Sequence, residues 1–424
     1  MGDNEQKMNT NVNIKTKEVP NVPNLRFKTY TYDWSKYCCS DFLKAYSTNS
    51  LSWDKLSYED SDGVLNLHYG LIHNGAPTLI DTTSYNLPKI IEDMPKSYEL
   101  CKNGDVIFAD ASEDTNDICK PVEICKTNGK SIVSGLHTIH TRDYKDLTCV
   151  GFKGYLFSSK SFHKQVFRLT QGTKIFSINF SNFREMRVSI PRKEEQRKIV
   201  GFLSKIDERI STQSKIIEDL NIEKNVISDK IFSQKPIRKE LLCSFYNKGK
   251  AGGTPKSTNK KYYDGDIPFL SISDMTEQGK YLYWTQRTLT QEGLENSTAW
   301  IVPENSLILS MYASVGQVAI NKIPLATSQA MFSMTLKDKN TVDFLYYYLS
   351  FFRENKLHKY LETGTQSNIN ADFVKSIEIP YYGDSKNKQI VSMLSLMDER
   401  IQKEKDILAL YKKQKAYLLS NMFI

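Results

Sequence analysis

Hydrophobic positions mark two long helices, one near the middle and one at the end of the chain. In both, apolar residues recur in alternating steps of four and three, as in the seam of a coiled coil. The seam positions are Ile199, Leu203, Ile206, Ile210, Ile217, Leu220, Ile227 and Ile231 in the first, and Ile390, Leu394, Met397, Ile401, Leu408, Tyr411, Leu418 and Met422 in the second. No Pro or Gly interrupts 202–235 or 384–424. We therefore expect two helices of about 38 residues, each roughly 57 Å long.

The two helices belong to an internal repeat, because the same residues return at a constant offset along the chain. The matched stretches are Ile199–Ile210 with Ile390–Ile401, Phe232 with Phe423, and the preceding Ile190-Pro191 with Ile379-Pro380. Polar residues interrupt each seam, and Lys224 and Lys415 occupy the same position of the repeat. A polar residue in a seam lowers stability but fixes the register and the partner.

Short β-rich runs, separated by Asn-Gly and Asp-Gly turns, precede each helix. Short helices are predicted near 155–168 and 341–358. The predicted fold class is α+β, with two globular domains each followed by a long helix. We expect the helices to pack as an antiparallel coiled coil with pseudo-twofold symmetry. The predicted segments are a flexible tail at 1–24, domains at 25–189 and 236–379, and helical regions at 190–235 and 380–424.

The composition is that of a globular chain, and its mild positive charge fits a polyanionic partner. A basic protein without such a partner is the alternative. Hydrophobic residues make up 40% and charged residues 25% of the sequence, and 57 Lys and Arg against 49 Asp and Glu give a net charge of +8. No apolar run reaches the roughly 20 residues of a membrane span, and the N-terminus lacks the apolar core of a signal peptide. The seven cysteines form no CxxC pair, so we expect reduced thiols and a cytoplasmic protein.

The motifs of common catalytic sites are absent from the sequence. We find no Walker A motif, HExxH, GxSxG, dinucleotide-binding fingerprint or Asn-Pro-Pro-Tyr of an amino-methyltransferase. His137 and His140 lack companions at the spacing of a metal site, and we expect no metal. An enzyme acting on its own is therefore not favoured, although one with unrecognised motifs remains an alternative.

Two stretches have the composition of a surface that binds nucleic acid. Residues 147–184 contain no acid, and six Lys and Arg alternate there with aromatic residues; 248–263 combines five lysines with Gly, Ser and Thr. The alternatives are solvated basic faces and aromatic residues that belong to the core. The candidate DNA-binding residues are Ser134, His137, Thr138, Arg142, Lys153, Lys160, Lys164 and Lys174 in the first domain, and Thr254, Lys256, Lys260, Lys261, Tyr312, Ser328, Gln329, Thr365 and Gln366 in the second.

These motifs together resemble a known family. The stretch Ile190–Phe232, with Ile-Pro-x-x-x-Glu-Gln-x-Lys-Ile-Val and Leu-Ser-x-x-Asp-Glu-Arg-Ile, looks like the central conserved region of type I restriction-modification specificity subunits. Ile379–Phe423 looks like the distal one. Gly253–Thr258, followed by Tyr262–Pro268, resembles the opening of many target recognition domains, and Pro23–Phe27 with Trp34 resembles the usual N-terminal beginning.

The resemblance implies a non-catalytic subunit that reads an asymmetric, bipartite DNA sequence, one half per target recognition domain. It implies two modification subunits that carry S-adenosylmethionine, and two restriction subunits that use ATP and Mg²⁺, with no cofactor on this chain. Two departures stand out: the second repeat lacks an equivalent of Glu195-Gln196, and the first domain lacks a clear Gly-Thr-Pro opening. A third reading is an assembly scaffold whose basic faces are incidental.

Overall fold

The computed structural model describes residues 21–59, 63–91, 98–114, 117–172, 175–361 and 368–424. The chain divides into two compact units. The first consists of Met1–Thr212 with Leu408–Ile424, and the second of Gln213–Ile407. Most of the predicted tail lies outside the described residues. In the part that is described, the Asn21 side chain donates to the Trp34 carbonyl at 2.5 Å and to the Ser189 hydroxyl at 3.3 Å.

The first unit is built from short strands and short helices. Its strands are β1 (Ser35–Cys38), β2 (Leu43–Tyr46), β3 (Leu56–Ser57), β4 (Leu65–Leu67), β5 (Leu79–Asp81), β6 (Lys89–Ile90), β7 (Val106–Ala109), β8 (Ala111–Ser112), β9 (Pro121–Lys126), β10 (Ile132–Ser134), β11 (Thr138–Asp143), β12 (Phe176–Ser177) and β13 (Arg187–Ile190). Its helices are α1 (Cys39–Phe42), α2 (Tyr69–His73), α3 (Phe152–Phe157), α4 (Lys160–Leu169) and α5 (Phe180–Glu185). The long helix α6 (Lys193–Phe232) follows.

The second unit repeats this plan. Its strands are β14 (Arg238–Leu241), β15 (Tyr246–Ala251), β16 (Tyr263–Leu270), β17 (Tyr281–Leu282), β18 (Arg287–Leu289), β19 (Leu307–Ser310), β20 (Val318–Asn321), β21 (Ala326–Thr327), β22 (Met331–Leu336) and β23 (Glu378–Tyr381). Its helices are α7 (Ile272–Gln278), α8 (Gln291–Glu295), α9 (Val342–Asn355), α10 (His358–Leu361) and α11 (Ala371–Ser376), and the last helix is α12 (Asp384–Asn421).

The described parts of both units contain a five-stranded sheet of the same topology. Its order is β2-β11-β7-β9-β5 in the first unit and β15-β22-β19-β20-β17 in the second, with the last pair of strands parallel in each. A second sheet pairs β4 with β10 in parallel in the first unit, as β16 pairs with β21 in the second. A two-stranded ribbon, β1-β13 or β14-β23, leads into each long helix.

Antiparallel helices pack beneath each domain. In the second unit Gln213 contacts Glu404 and Lys224 contacts Asp398, so residue numbers rise along α6 as they fall along α12. The sixteen apolar or aromatic seam residues predicted from the sequence are all buried or half-buried. The predicted α+β class, with a long helix after each globular region, is confirmed. The exact domain boundaries stay predictions.

Each unit has its own hydrophobic core, to which the helices contribute. Phe152, Phe157 and Phe183 of the first unit pack with Leu203 and Phe423 in one cluster. In the second unit the rings of Phe344 and Tyr348 lie 6.1 and 5.4 Å from the ring of Phe232. All seven cysteines are free. Among the described residues, none of the helices is apolar over a stretch long enough to cross a bilayer.

The Glu195-Gln196 pair, which the second repeat lacks, is buried. Glu195 accepts from the Arg26 guanidinium at 2.7 and 2.8 Å, which ties the N-terminal segment to α6. The Gln196 side chain accepts from the Cys149 N–H at 2.7 Å and donates to the Leu147 carbonyl at 2.9 Å. The pair therefore secures two segments of the first unit against its helix.

Candidate nucleic-acid interface

Three loops of the first unit meet at one end of its five-stranded sheet. Thr138, where β11 begins, pairs with Ala109, where β7 ends, and Tyr46 at the end of β2 pairs with His140. The loops at 47–52, 110–114 with 117–120, and 135–137 therefore share that end. We call them the first loop face.

The second unit has an equivalent set of loops at the same end of its five-stranded sheet, because its strands pair in the same register. Met331 at the start of β22 pairs with Ser310 at the end of β19, and Phe332 pairs with Ala251 at the end of β15. The second loop face consists of 252–259, 311–317 and 328–330. The sheet topology thus places corresponding loops in corresponding positions, although their sequences differ.

Ser134 and Thr138 have internal roles in the first loop face. Both are buried, their hydroxyl oxygens lie 2.7 Å apart, and the Thr138 hydroxyl donates to the Gly135 carbonyl at 2.5 Å. These bonds hold the tight loop that presents His137, whose backbone is left-handed (φ 52°) and whose side chain is 52% exposed. The predicted base contacts at Ser134 and Thr138 do not fit this burial, whereas His137 remains a candidate.

A row of aromatic and imidazole rings begins at His137, and sequence reasoning missed it. The Tyr69 ring lies 5.3 Å from that of His137 and 4.6 Å from that of His68, and the Trp53 ring lies 5.3 Å from that of His68. A cavity of about 430 Å³ adjoins them, lined in part by Tyr69, His73 and His137. Trp53 is 45% exposed. The only signal in the sequence was the density of rings at 68–73, far from the basic stretches.

Burial shifts the pKa values of two groups beside His137, namely His68 and Asp110. His68 caps α2, since its Nδ1 accepts from the Gly70 N–H at 3.1 Å. Burial, with a contribution from His137, lowers the pKa of His68, which favours the neutral imidazole that can accept. Asp110 lies 3.4 Å from His137 Nδ1. Burial raises the pKa of Asp110, and the neighbouring His137 opposes that rise.

Arg142 and Lys153, predicted to contact DNA, are used inside the domain. Arg142 donates to both carboxylate oxygens of Asp105 at 2.8 Å and to Glu99 at 3.1 Å. Lys153 is 2% exposed, donates to Thr148 at 2.8 Å and lies 3.5 Å from Glu123. The burial of Lys153 does not fit the predicted phosphate contact. Arg142 is half-buried and held by two carboxylates, and its predicted base contact stays a prediction.

Lys160 and Lys164 remain candidates for phosphate contacts. Both are exposed on α4. Lys160 lines a cavity of about 360 Å³ together with Asp117, which also lines the cavity beside His137. The basic helix is therefore continuous with the first loop face. Lys174, Thr365 and Gln366 lie outside the described residues.

The second loop face brings together predicted residues from two distant segments. The Thr254 hydroxyl donates to the side-chain carbonyl of Gln329, and both residues are exposed. Ser328, which is half-buried, precedes Gln329 in the same loop. With its carbonyl oxygen bound to Thr254, Gln329 has its amide group free to donate. Thr254, Ser328 and Gln329 thus form one polar surface of the kind that reads base edges.

Tyr312 stands on a strained loop of this face. Ala313 and Ser314 have left-handed backbones, with φ of 40° and 42°, which residues with a Cβ adopt at a cost. The Ser310 hydroxyl stabilises the loop through bonds of 2.7 and 2.8 Å to the Tyr312 and Ala313 carbonyls. Tyr312 is 43% exposed. The fold therefore maintains an energetically unfavourable loop that presents a tyrosine.

Exposed lysines border the second loop face. Lys256, Lys260 and Lys261 are all exposed, and the Asn259 side chain caps the turn that carries the last two by accepting from the Lys261 N–H at 3.2 Å. This arrangement fits the predicted phosphate contacts, because exposed ammonium groups lie beside a polar surface.

The first domain has a structural counterpart of the missing Gly-Thr-Pro opening. The Asn49 N–H donates to the Ser134 carbonyl at 3.0 Å, as the Gly253 N–H donates to the Thr327 carbonyl at 2.9 Å. A Cβ at Gly253 would lie 2.2 Å from the Thr298 hydroxyl oxygen and 2.5 Å from the Ala299 nitrogen, so glycine is required there. Asn49 occupies the same place in the first domain because its surroundings accommodate a side chain.

Cys101, Asp105 and His140 form a buried group whose possible ligand atoms lie within 4.8 Å of one another. Asp105 is already bonded to His140 Nε2 at 2.8 Å and to the Arg142 guanidinium. Burial raises the pKa of the Cys101 thiol, which favours the protonated form that binds metals poorly. The adjacent guanidinium would repel a metal cation. The residues fit an internal ion-pair network better than a metal site.

Comparison with known proteins gives the family. The family described as "Type I restriction modification DNA specificity domain" matches residues 127–221 and 242–410. The MjaIX specificity subunit of Methanocaldococcus jannaschii is 29% identical over 179 residues, which are 41% of this chain and 40% of the relative. The putative MjaX specificity subunit of the same organism is 25% identical over 343 residues, 74% of this chain and 77% of the relative.

A solved structure has the same fold. The type I restriction-modification S subunit from M. genitalium aligns with a TM-score of 0.53 and 16% identity, over 95% of this chain and 99% of that one. Because the family description matches more than half of the chain, at both globular regions and both helices, the chain belongs to the type I restriction-modification DNA specificity family.

Proposed function

We propose that this chain is the DNA sequence-specificity subunit of a type I restriction-modification enzyme and reads an asymmetric, bipartite target. The observation that carries the proposal is the pair of loop faces. They stand at equivalent ends of two sheets of one topology, yet present different side chains. Two structurally equivalent but chemically different surfaces suit two different half-sites, because base identity is read by side chains and not by the sheet.

The proposal assigns the first half-site to His137 and its neighbouring rings, with Lys160 and Lys164 on phosphates. It assigns the second half-site to Thr254, Ser328, Gln329 and Tyr312, with Lys256, Lys260 and Lys261 on phosphates. The Gln329 amide group can donate to an acceptor on a base edge, such as adenine N7. The net charge of +8 fits binding to DNA.

Catalysis belongs to partner subunits in this proposal. Two modification subunits supply S-adenosylmethionine, and two restriction subunits supply ATP and Mg²⁺, while this chain binds no cofactor. The long helices are the docking surface, because apolar side chains remain exposed on them. These side chains include Phe202, Leu410 and Tyr417 in the first unit and Ile222, Val226 and Leu396 in the second.

The test is methylome sequencing of a restriction-free bacterial host that expresses this chain with its modification subunit. We expect a split motif with modified adenines in both halves, a constant gap between them, and no signal when this chain is omitted. Methylation that persists without the chain would contradict the proposal. A stable complex without any motif would favour the assembly-scaffold alternative, and binding of labelled S-adenosylmethionine to the isolated chain would favour the enzyme alternative.

A further inference from the structure

A carboxylate joins three elements of the first unit. Asp207 on α6 lies 2.6 Å from the Lys415 ammonium of α12, and its second oxygen accepts from the Tyr155 hydroxyl of α3 at 2.8 Å. Lys415 also donates to the Thr78 hydroxyl, just before β5, at 3.0 Å. Tyr155 is fully buried. The recognition domain and both long helices thus meet at Asp207, and we call this group the first joint.

The second unit contains an equivalent group, in which α12 supplies the aspartate and α6 supplies the lysine. Asp398 on α12 lies 2.5 Å from the Lys224 ammonium of α6 and accepts from the Tyr347 hydroxyl of α9 at 2.8 Å. Lys280, just before β17, donates to the Tyr347 hydroxyl at 2.8 Å and pairs with Asp343 at 2.8 Å. This group is the second joint.

The two joints use equivalent positions of the internal repeat, although the domains around them differ in sequence. Asp207 corresponds to Asp398, and Lys224 to Lys415, at the constant offset of the repeat. Each aspartate therefore pairs with the seam lysine of the opposite copy. The tyrosines come from domains that share topology and little sequence, and they still deliver a hydroxyl to the same carboxylate oxygen.

These groups are better suited to fixing the orientation of a domain on its helices than to stabilising the fold. Both ion pairs are largely buried, with side-chain exposures of 18% to 28%. The desolvation of such a pair offsets most of its Coulombic attraction. A hydrogen-bonded network, in contrast, accepts only a narrow range of distances and angles, and a polar group in a helical seam fixes register. A network that reaches α3 or α9 fixes how the domain sits on its helices.

We infer that the two joints are positioning elements for base reading, each holding its own recognition domain in the orientation that its loop face requires. Tyr155, Asp207 and Lys415 serve the first half-site, and Tyr347, Asp398 and Lys224 serve the second. The inference rests on the proposed function. Base contacts need placement within about 0.5 Å, so a small rotation of a domain lowers discrimination at its half-site.

The experiment uses the chain in complex with its modification subunit, on DNA duplexes that carry the methylome-derived target. Duplexes with one changed base pair in either half-site measure discrimination at each half separately. The variants are Tyr155→Phe and Asp207→Asn for the first joint, and Tyr347→Phe and Asp398→Asn for the second. The tyrosine variants remove only a hydroxyl, so the fold survives. Glu208→Gln and Glu399→Gln make the same change of charge on exposed neighbours and serve as controls.

We expect each joint variant to lower discrimination about tenfold at one half-site and to leave the other unchanged, with the two joints affecting opposite halves. The controls should change neither. If the variants shift only the melting temperature, or weaken binding to every duplex equally, the joints stabilise the fold without positioning the loop faces, and the inference is wrong. A wild-type complex without any split motif would instead refute the proposed function.

Discussion

In the first unit the loop before β11 presents His137 beside Tyr69 and Asp110, whereas in the second the loop before β22 presents Gln329 bonded to Thr254. The strands that carry these loops pair in the same order and the same register. The sheet therefore determines where a reading side chain stands, while the loops determine its chemistry.

The interiors of the two domains differ as well. In the first, the carboxylate of Glu123 accepts from the Gly151 and Gly154 N–H groups at 2.8 and 2.7 Å and lies beside Lys153. The strand pairings and helix positions place Ile320 and Leu345 at the corresponding sites of the second domain, both fully buried. A buried ion pair in one domain thus corresponds to an apolar pair in the other.

The largest expected effect comes from breaking that ion pair. Lys153→Leu leaves Glu123 buried without its cation, and we expect a loss of about 3–5 kcal/mol in the free energy of unfolding. Burial raises the pKa of Glu123, and loss of Lys153 removes an influence that lowers it. The folded variant then binds more protons than the unfolded one, so its stability falls as the pH rises above about 4.3.

Urea unfolding at pH 5 and pH 7 measures this difference, and the double variant Glu123→Ile with Lys153→Leu is the matched control. It reproduces the apolar pair of the second domain and should recover most of the loss. Equal stability of the single variant and the wild type at pH 7 would mean that Lys153 does not compensate Glu123.

The position of Lys153 also shows what the sequence could not reveal. Residues 147–184 contain no acid, which suggested a free basic surface, but Glu123 reaches Lys153 from a strand more than 20 residues upstream. The Arg142 guanidinium likewise has a partner that is distant in the chain, since it donates to Asp105. Charge counted along a sequence misses partners that only the tertiary fold supplies.

The long helices were predictable because the heptad pattern is local and appears twice. The common topology of the domains was not, since most of their strands span only two to six residues and pair with distant segments. The resemblance led to the correct family. His137 and Gln329 were singled out as candidate DNA-binding residues, but the rings of Trp53, His68 and Tyr69 became part of a candidate site only through the fold.

The next largest effect concerns the loop after the first strand of each five-stranded sheet, where the second domain has Gly253 and the first has Asn49. Gly253→Asn places the residue of the first domain, Asn49, at the corresponding site of the second. Its Cβ would collide with Thr298 and the Ala299 backbone, and we expect a loss of about 1–3 kcal/mol, seen as a lower melting temperature.

Gly201→Ala is the control for that substitution. A Cβ there meets no atom within 4 Å among the described residues, and alanine favours a helix by up to about 1 kcal/mol. If Gly253→Asn melts at the wild-type temperature, the close approach of Gly253 to Thr298 and Ala299 does not require glycine.

A smaller effect is expected at the border of the second loop face. Lys260→Glu with Lys261→Glu should weaken binding to all DNA sequences and reduce the slope of log affinity against log salt concentration by about 2, since two ammonium groups no longer neutralise phosphates. Fluorescence anisotropy between about 50 and 200 mM salt, the range in which such slopes are resolved, would measure it. An unchanged slope would remove these lysines from the contact surface.

The central claim is that each loop face reads one half of the target, and methylome sequencing of His137→Ala and Gln329→Ala tests it most directly. We predict that the two variants relax the motif in opposite halves, while the other half and the gap stay as in the wild type. Removing one side chain that binds a base costs about 1–3 kcal/mol, which is enough to admit additional bases at one position. Relaxation of both halves by either variant, or an unchanged motif in both, would contradict the account.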